Sequence, residues 1–316
     1  MALLSVMTPI YNGAAFVRRC YHTLRLQSFQ DWEWVVVNDG STDNTVELIR
    51  EIQQRDPRVR LIDYAKNRGR GFARTKAIAA AKGDWVVVWD VDDLYLPQRL
   101  ERIDRARSLG FDFYVSRTIT ADPQLNFLSL NDFSEPFAPL PFRVGYHSAM
   151  AVKTEVAREV GYLPGLRTVG QMGEDIPMVY EVAATRRGYF DDKPMAVYVV
   201  GHEVFLEKSI DVNTVRSTYW RHMRDRGQLP MPAENFGHLE ARDQRKLFLL
   251  KLLRICPAAY PVMMRVRKFG LAHNTGRPLT WEENAFLAGI KERFSQPTQP
   301  VEIPVPTMQP ELAYAN

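Results

Sequence analysis

Up to about residue 93 the chain alternates between two hydrophobic patterns. Short apolar runs occur at Trp34–Val37 and Trp85–Trp89, and mainly apolar ones at 3–8 (LLSVMT) and Val59–Ile62. They are too short for helices and largely apolar, as buried strands require. Between them, apolar residues recur every three or four positions: Phe16, Cys20 and Leu24, then Val46, Ile49 and Ile52, then the alanine-rich segment 71–82. That spacing predicts three helices. Pro9 and Gly13 close the first strand, and Ser41 or Thr42 is expected to cap the second helix. Strands of this length alternating with such helices predict a parallel sheet of βαβ units, a Rossmann-like α/β fold.

Beyond about residue 110 the alternation loosens. FDFYVS (111–116) and MAVYVV (195–200) read as strands, and 154–160 and 175–187 as helices. Segments 214–227 and 239–255 read as basic helices. Residues 296–316 hold Pro297, Pro300, Pro304, Pro306 and Pro310 with little charge and read as a disordered tail. The expected layout is therefore an α/β domain over 1–210, a helical C-terminal extension over 211–295 and a proline-rich tail. No internal repeat is present.

Composition narrows the class. A chain of 316 residues with 46% hydrophobic and 25% charged residues is of ordinary globular composition. Two cysteines, Cys20 and Cys256, are too few for a disulfide framework or a cysteine zinc site, which favours a reducing, cytoplasmic setting. The net charge of +4 is not gathered into a stripe that would suit nucleic acid; it suits an anionic substrate or a membrane surface. The N-terminal MALLSVMTPIYNG has neither a basic leader nor a cleavage site, so no signal peptide is expected. No run of 18 clean apolar residues predicts a spanning helix. Segment 245–268 mixes long apolar side chains with Lys251, Arg254, Arg265 and Arg267. It reads as a helix packed on the domain or on a second copy, or as a peripheral contact with the inner face of a membrane.

Polar clusters follow the strand ends, where open parallel sheets bind ligands. They are Thr8–Asn12, Asn38–Asp43 and Asp90–Asp93, joined by Gly173-Glu174-Asp175 before a later helix. Several aspartates at the end of an apolar strand repel one another unless a cation intervenes. Mg²⁺ or Mn²⁺ typically bridges one or two carboxylates to substrate phosphates.

Taken together, TPIYNG (8–13), VVVNDGSTDNT (35–45), the run from Asn67 to Asp93 and GED (173–175) resemble the inverting family 2 glycosyltransferases, of GT-A fold, over about 3–202. The resemblance implies a transferase moving a sugar from a nucleotide diphosphate sugar, UDP being the commonest nucleotide, to a glycan, lipid-linked or other acceptor. It implies that Pro9, Tyr11 and Asp39 hold the nucleoside and that Asn67, Arg68 and Arg74 approach the base and diphosphate. Asp92 would be the ligand of Mn²⁺ or Mg²⁺. Asp90 would assist it or hold ribose, and Asp93 is the substitute. His202 would be a further metal or diphosphate contact, or else a loop histidine with a routine hydrogen bond. Asp175 would be the general base, with Glu174 orienting it. Asn38 departs from the acidic residue many members carry there.

Bland readings stand beside these. His147, in GYHSAM, reads as structural, with lining of an acceptor pocket as the alternative. Trp85, Trp89 and Cys20 read as core, and Asp175 as a plain helix cap if it is not the base. Two rival functions share the topology: a non-catalytic nucleotide-sugar-binding protein and a sugar nucleotidyltransferase. The latter usually opens with a glycine-rich phosphate loop where this chain has TPIYNG. A dinucleotide oxidoreductase would need G-x-G-x-x-G after a strand, which Gly69 and Gly71 only partly supply.

Overall fold

The computed structural model describes residues 4–131, 145–162, 174–200 and 278–294. The first half follows the hydrophobic pattern closely. Strand β1 (Leu4–Ile10) leads to helix α1 (Ala14–Arg25), then β2 (Trp32–Asp39), α2 (Thr45–Arg55), β3 (Val59–Tyr64), α3 (Arg70–Ala80) and β4 (Trp85–Val88). These strands lie parallel in the order β3-β2-β1-β4. Every residue of β1, β2 and β4 is buried, because helices cover both faces.

The second half adds β5 (Leu94–Tyr95), α4 (Arg99–Ser108), β6 (Phe113–Ala121), β7 (Phe127–Asn131), a single 3₁₀ turn at His147–Ala149, β8 (Met150–Lys153), α5 (Thr154–Val160), α6 (Ile176–Thr185) and β9 (Gly188–Val199). The sheet continues β4-β8-β6-β9-β5, with β7 beside β6. β8 is antiparallel to both β4 and β6, and β6 runs parallel to β9. Among the described residues this is one nine-stranded sheet whose parallel half carries the polar clusters.

The sequence pattern misses β5, β7, β8 and α4. α4 (RLERIDRARS) offers only Leu100, Ile103 and Ala106 as an apolar stripe, and its most deeply buried side chains include Arg99. The expected caps of α2 are also corrected. Asn44 holds the N-cap position without a side-chain bond, Asp43 accepts the Thr45 N–H at 3.1 Å, and Asp43 and Ser41 also accept N–H groups entering α1.

A last helix, α7 (Trp281–Phe294), falls within the expected extension. Leu287 and Ile290 pack into a second apolar cluster with Leu94, Ile119 and Val197, separate from the main core. The expected helices at 214–227 and 239–255, segment 245–268, His202 and the tail 296–316 lie outside the described residues. No helix among the described residues is long and apolar enough to cross a membrane.

Candidate active site

The carboxyl ends of β1 and β2 meet because their register sets Pro9 beside Val37 and Ile10 beside Asn38. Pro9 is buried and Tyr11 half-buried at this edge. The two following loops are stitched together by side chains. The Ser41 hydroxyl accepts the Asn12 N–H at 2.9 Å, Thr45 accepts that of Gly13 at 3.0 Å, and Asp43 accepts that of Ala14 at 3.2 Å. The DGSTD segment thus satisfies N–H groups at the start of α1. Asn38 donates to Asp63 at 2.8 Å and accepts the Ser41 N–H at 3.1 Å. An acid at position 38 would face Asp63 with like charge, which accounts for the departure noted in the sequence.

Asp39 is buried and acts as a clasp. Its Oδ1 accepts the Arg68 N–H at 2.8 Å and its Oδ2 that of Gly69 at 2.7 Å. The Asn67 side chain also accepts the Gly69 N–H, at 3.1 Å. Two glycines make this approach feasible. Gly40 has φ +79°, and a Cβ there would lie 2.6 Å from the Asn67 nitrogen. Gly69 has φ +98° at the start of α3. The Arg68 guanidinium lies over the Phe72 ring, 4.9 Å from its centroid.

The end of β4 is fixed from beneath. The buried Thr8 hydroxyl donates to the Trp89 carbonyl at 2.6 Å, and the Tyr95 hydroxyl accepts the Asp90 N–H at 2.7 Å. Asp90, Asp92 and Asp93 then separate. Asp90 pairs with Arg74 at 2.8 Å. Asp93 turns into the core and accepts the Val199 N–H at 3.1 Å. Burial and the neighbouring Asp92 and Asp90 charges push its carboxyl well above the ordinary range. Asp92 remains half-buried, its carbonyl accepting from Arg19 at 3.0 Å.

Arg74, only 2% exposed, joins this strand end to the Glu-Asp segment. One guanidinium nitrogen donates to Asp90 and another to Glu174, which Arg70 also approaches at 3.6 Å. Burial alone would depress the Arg74 guanidinium; the Asp90 and Glu174 charges outweigh it and hold it above its usual value. Burial would likewise raise Asp90, but Arg74 holds that carboxyl below its usual range.

Asp175 stands at the N-cap position of α6 yet makes no side-chain capping bond. Its side chain is 31% exposed, and His147 Nδ1 lies 4.0 Å from its Oδ2. Desolvation first, then the Glu174 charge, push its pKa up to about 6, against the opposing pull of Arg74 and Arg70. His147 is buried, with Nε2 2.7 Å from the Tyr162 hydroxyl. Behind the 147–149 turn, the wholly buried Arg99 donates to the carbonyls of Val88, Ser148 and Met150. It thereby locks the end of β4 to that turn.

The sequence-predicted residues therefore fall into two neighbouring groups. Asp39, Asn67 and Arg68 gather at one edge. Arg74, Asp90, Glu174 and Asp175 form a connected set, with Asp92 beside it. Arg70, Tyr162 and Arg99 escaped sequence reasoning. Only Arg70 carried a signal, lying four residues before Arg74 on one helix face. Trp85, Trp89 and Cys20 are core, as expected.

As to a metal, the described residues contain no group of three or more His, Cys, Asp or Glu side chains able to hold one. Asp90 and Asp92, two residues apart after β4, carry the carboxylate oxygens that Mg²⁺ or Mn²⁺ takes, but Asp90 is already paired with Arg74, which leaves Asp92 as the better candidate ligand.

Residues 5–152 match the family model described as Glycosyl transferase family 2. The chain is 41% identical over 133 residues to the succinoglycan biosynthesis protein ExoO of Rhizobium meliloti, covering 42% of this chain and 37% of that protein. It is 37% identical over 127 residues to chondroitin synthase of Pasteurella multocida, covering 39% of this chain and 13% of that one. The matched stretch thus spans under half of either relative. Among solved structures, S. aureus TarS 1–349 in complex with UDP-GlcNAc superposes with a TM-score of 0.58 at 16% identity, over 92% of this chain and 80% of that one. The mannosyltransferase PcManGT from Pyrobaculum calidifontis, in complex with GDP-Man and Mn²⁺, gives 0.54 at 17% identity, over 91% and 79%. At such identity these likenesses speak for the fold.

Proposed function

Because residues 5–152 form a glycosyl transferase family 2 domain, we propose that this chain transfers a sugar from a nucleoside diphosphate sugar to an acceptor hydroxyl with inversion. The observation that carries the reading is the buried Arg74, which ties the carboxylate run after β4 to Glu174 beside Asp175. A donor-side acid cluster and a carboxylate of raised pKa are thereby held a fixed distance apart. An inverting displacement needs that separation, since base and leaving group act on opposite faces of the anomeric carbon.

In this reading Pro9, Tyr11 and Asp39 form the nucleoside edge, with Asn67 and Arg68 beside the base and diphosphate. Asp92, helped by Asp90, would hold Mg²⁺ or Mn²⁺, which neutralises charge on the leaving diphosphate when bound. Asp175 takes the proton of the acceptor hydroxyl as its oxygen bonds to the anomeric carbon and the bond to the diphosphate breaks. Glu174, paired with Arg74, fixes the backbone from which Asp175 projects. Burial that lifts Asp175 to about 6 makes it a stronger base while leaving it ionised at neutral pH. UDP is the preferred nucleotide and GDP the second candidate, since TarS is seen with UDP-GlcNAc and PcManGT with GDP-Man. The acceptor is a glycan or lipid-linked hydroxyl.

The test is a panel of UDP-, GDP- and TDP-sugars, followed by nucleotide release and by NMR of the product. An α-linked donor should give a β-linked product. Retention of configuration would rule the mechanism out, as would an Asp175→Asn enzyme with wild-type single-turnover rates.

A further inference from the structure

We propose that His147 is a positioning residue for Asp175: Tyr162 fixes its tautomer, and Nδ1–H donates the hydrogen bond that aims the Asp175 carboxylate at the acceptor. The inference rests on Asp175 being the base.

Three observations carry it. His147 is 7% exposed, and its Nδ1 has no hydrogen-bond partner among the described residues, although its other nitrogen is engaged. Buried polar atoms are rarely left so. That atom lies 4.0 Å from Asp175 Oδ2, farther than a hydrogen bond by about 1 Å. Catalytic contacts in ligand-free sites are often long and tighten with substrate. The 147–149 turn itself is held by Arg99, so the imidazole is a fixed reference against which Asp175 can be aimed.

The tautomer follows from chemistry. A bare Nδ1 would turn a lone pair toward a carboxylate. With the Tyr162 hydroxyl donating into Nε2, the ring proton sits on Nδ1 and meets the carboxylate favourably. The ring stays neutral, because burial and then the nearby Arg74 cation hold its pKa well below the usual histidine range. The other charged groups facing Asp175 are Glu174 beside it and Arg70 and Arg74 from α3. None of them supplies a neutral donor of fixed direction.

The direct test is ¹⁵N NMR of the full chain labelled at histidine, with the His147 signal assigned by its loss in His147→Asn. A proton on Nδ1 is expected; a proton on Nε2 overturns the proposal. Kinetics give a second readout, using nucleotide release with water as acceptor. The asparagine amide nitrogen sits where Nδ1 does and the glutamine nitrogen where Nε2 does. His147→Gln and His147→Ala should lose about 10²-fold in kcat, with the donor KM unchanged and the acid limb of the pH profile moved upward. His147→Asn should recover most of the rate and restore the limb. Tyr162→Phe, which keeps the ring, should shift both the same way by less. Equal rates for the Asn and Gln variants, or an unmoved limb, overturn the proposal. If Asp175→Asn is itself silent, the base assignment fails instead.

Discussion

As the proposed base, Asp175 would trade stability for chemistry. Its pKa is raised on folding, so its favourable contribution to stability is full below the unfolded value and lost as pH rises through about 6. At pH 7–8 the ionised group therefore weakens the fold. Asp175→Asn should raise the melting temperature there while lowering kcat about 10²–10⁴-fold, and the gain in stability should fade below pH 4. Thermal melts across pH check the first part. A drop in melting temperature at pH 8 would contradict it. Wild-type kcat should fall tenfold per pH unit below about 6, as the base takes its proton. Asp39 behaves differently, because both its oxygens already hold main-chain N–H groups. Asp39→Ala should weaken UDP binding and also destabilise by about 1–3 kcal/mol, since the Arg68 N–H loses its acceptor and the Gly69 N–H keeps only Asn67. Calorimetric titration and urea melts separate these effects. The place of Asp39 at the end of the second strand was legible in the sequence, but its clasp on the 68–69 backbone was not, because the partners are remote along the chain.

At the scale of elements, α7 is the informative case. It begins with a reciprocal cap: the Glu283 carboxylate accepts the Thr280 N–H at 2.8 Å, and the Thr280 hydroxyl accepts that of Glu283 at 3.3 Å. Thr280→Ala should cost about 1 kcal/mol, read as faster amide exchange confined to α7 and its neighbours. The same helix carries a pH dependence. His22 on α1 meets Phe294 edge-on, and burial, then Arg293, push its pKa down to about 4. A depressed histidine supports the fold above its unfolded value of about 6.5, and that support is lost as pH falls through 4. Exchange in α7 should quicken over this window; His22→Phe should remove the dependence. Legibility divides along the chain. β1, β2 and β4 announce themselves because each is a short run buried on both faces, and the partly buried β3 by the apolar Val59, Leu61 and Ile62. β9 (GYFDDKPMAVYV) shows only its second half, MAVYV, in the sequence; its start hides because Asp192 and Lys193 sit in a register shift against β6, and Asp191 is buried by bonds from Arg102 and Tyr114.

Across the whole molecule, the parallel half carries Asp39, Asn67 and Arg68 at the proposed nucleotide edge, and the mixed half supplies the turn and helix that carry His147 and Asp175. The two halves meet at β4 and β8, where Arg99 donates across the join. The proposed metal, shared between Asp92 and a donor diphosphate, would belong to this scale, because neither protein nor nucleotide would complete its coordination alone. UDP should therefore raise the melting temperature more with Mn²⁺ than without, and Asp92→Asn should abolish the difference. Equal shifts with and without the ion would argue against a metal at Asp92. The sequence disclosed the parallel half and the order of the polar clusters. It did not disclose how β8 and the 147–149 turn enter the sheet, since strand neighbours distant in the chain leave no periodic trace. The core beneath the site also contains a chemical clock. Cys20 is fully buried, and burial, then the Asp92 charge, raise its thiol far above the range in which thiols react. In a Cys256→Ser background, the rate of alkylation at Cys20 would time how often the sheet and α1 part company in solution, without denaturant and without any substrate being known.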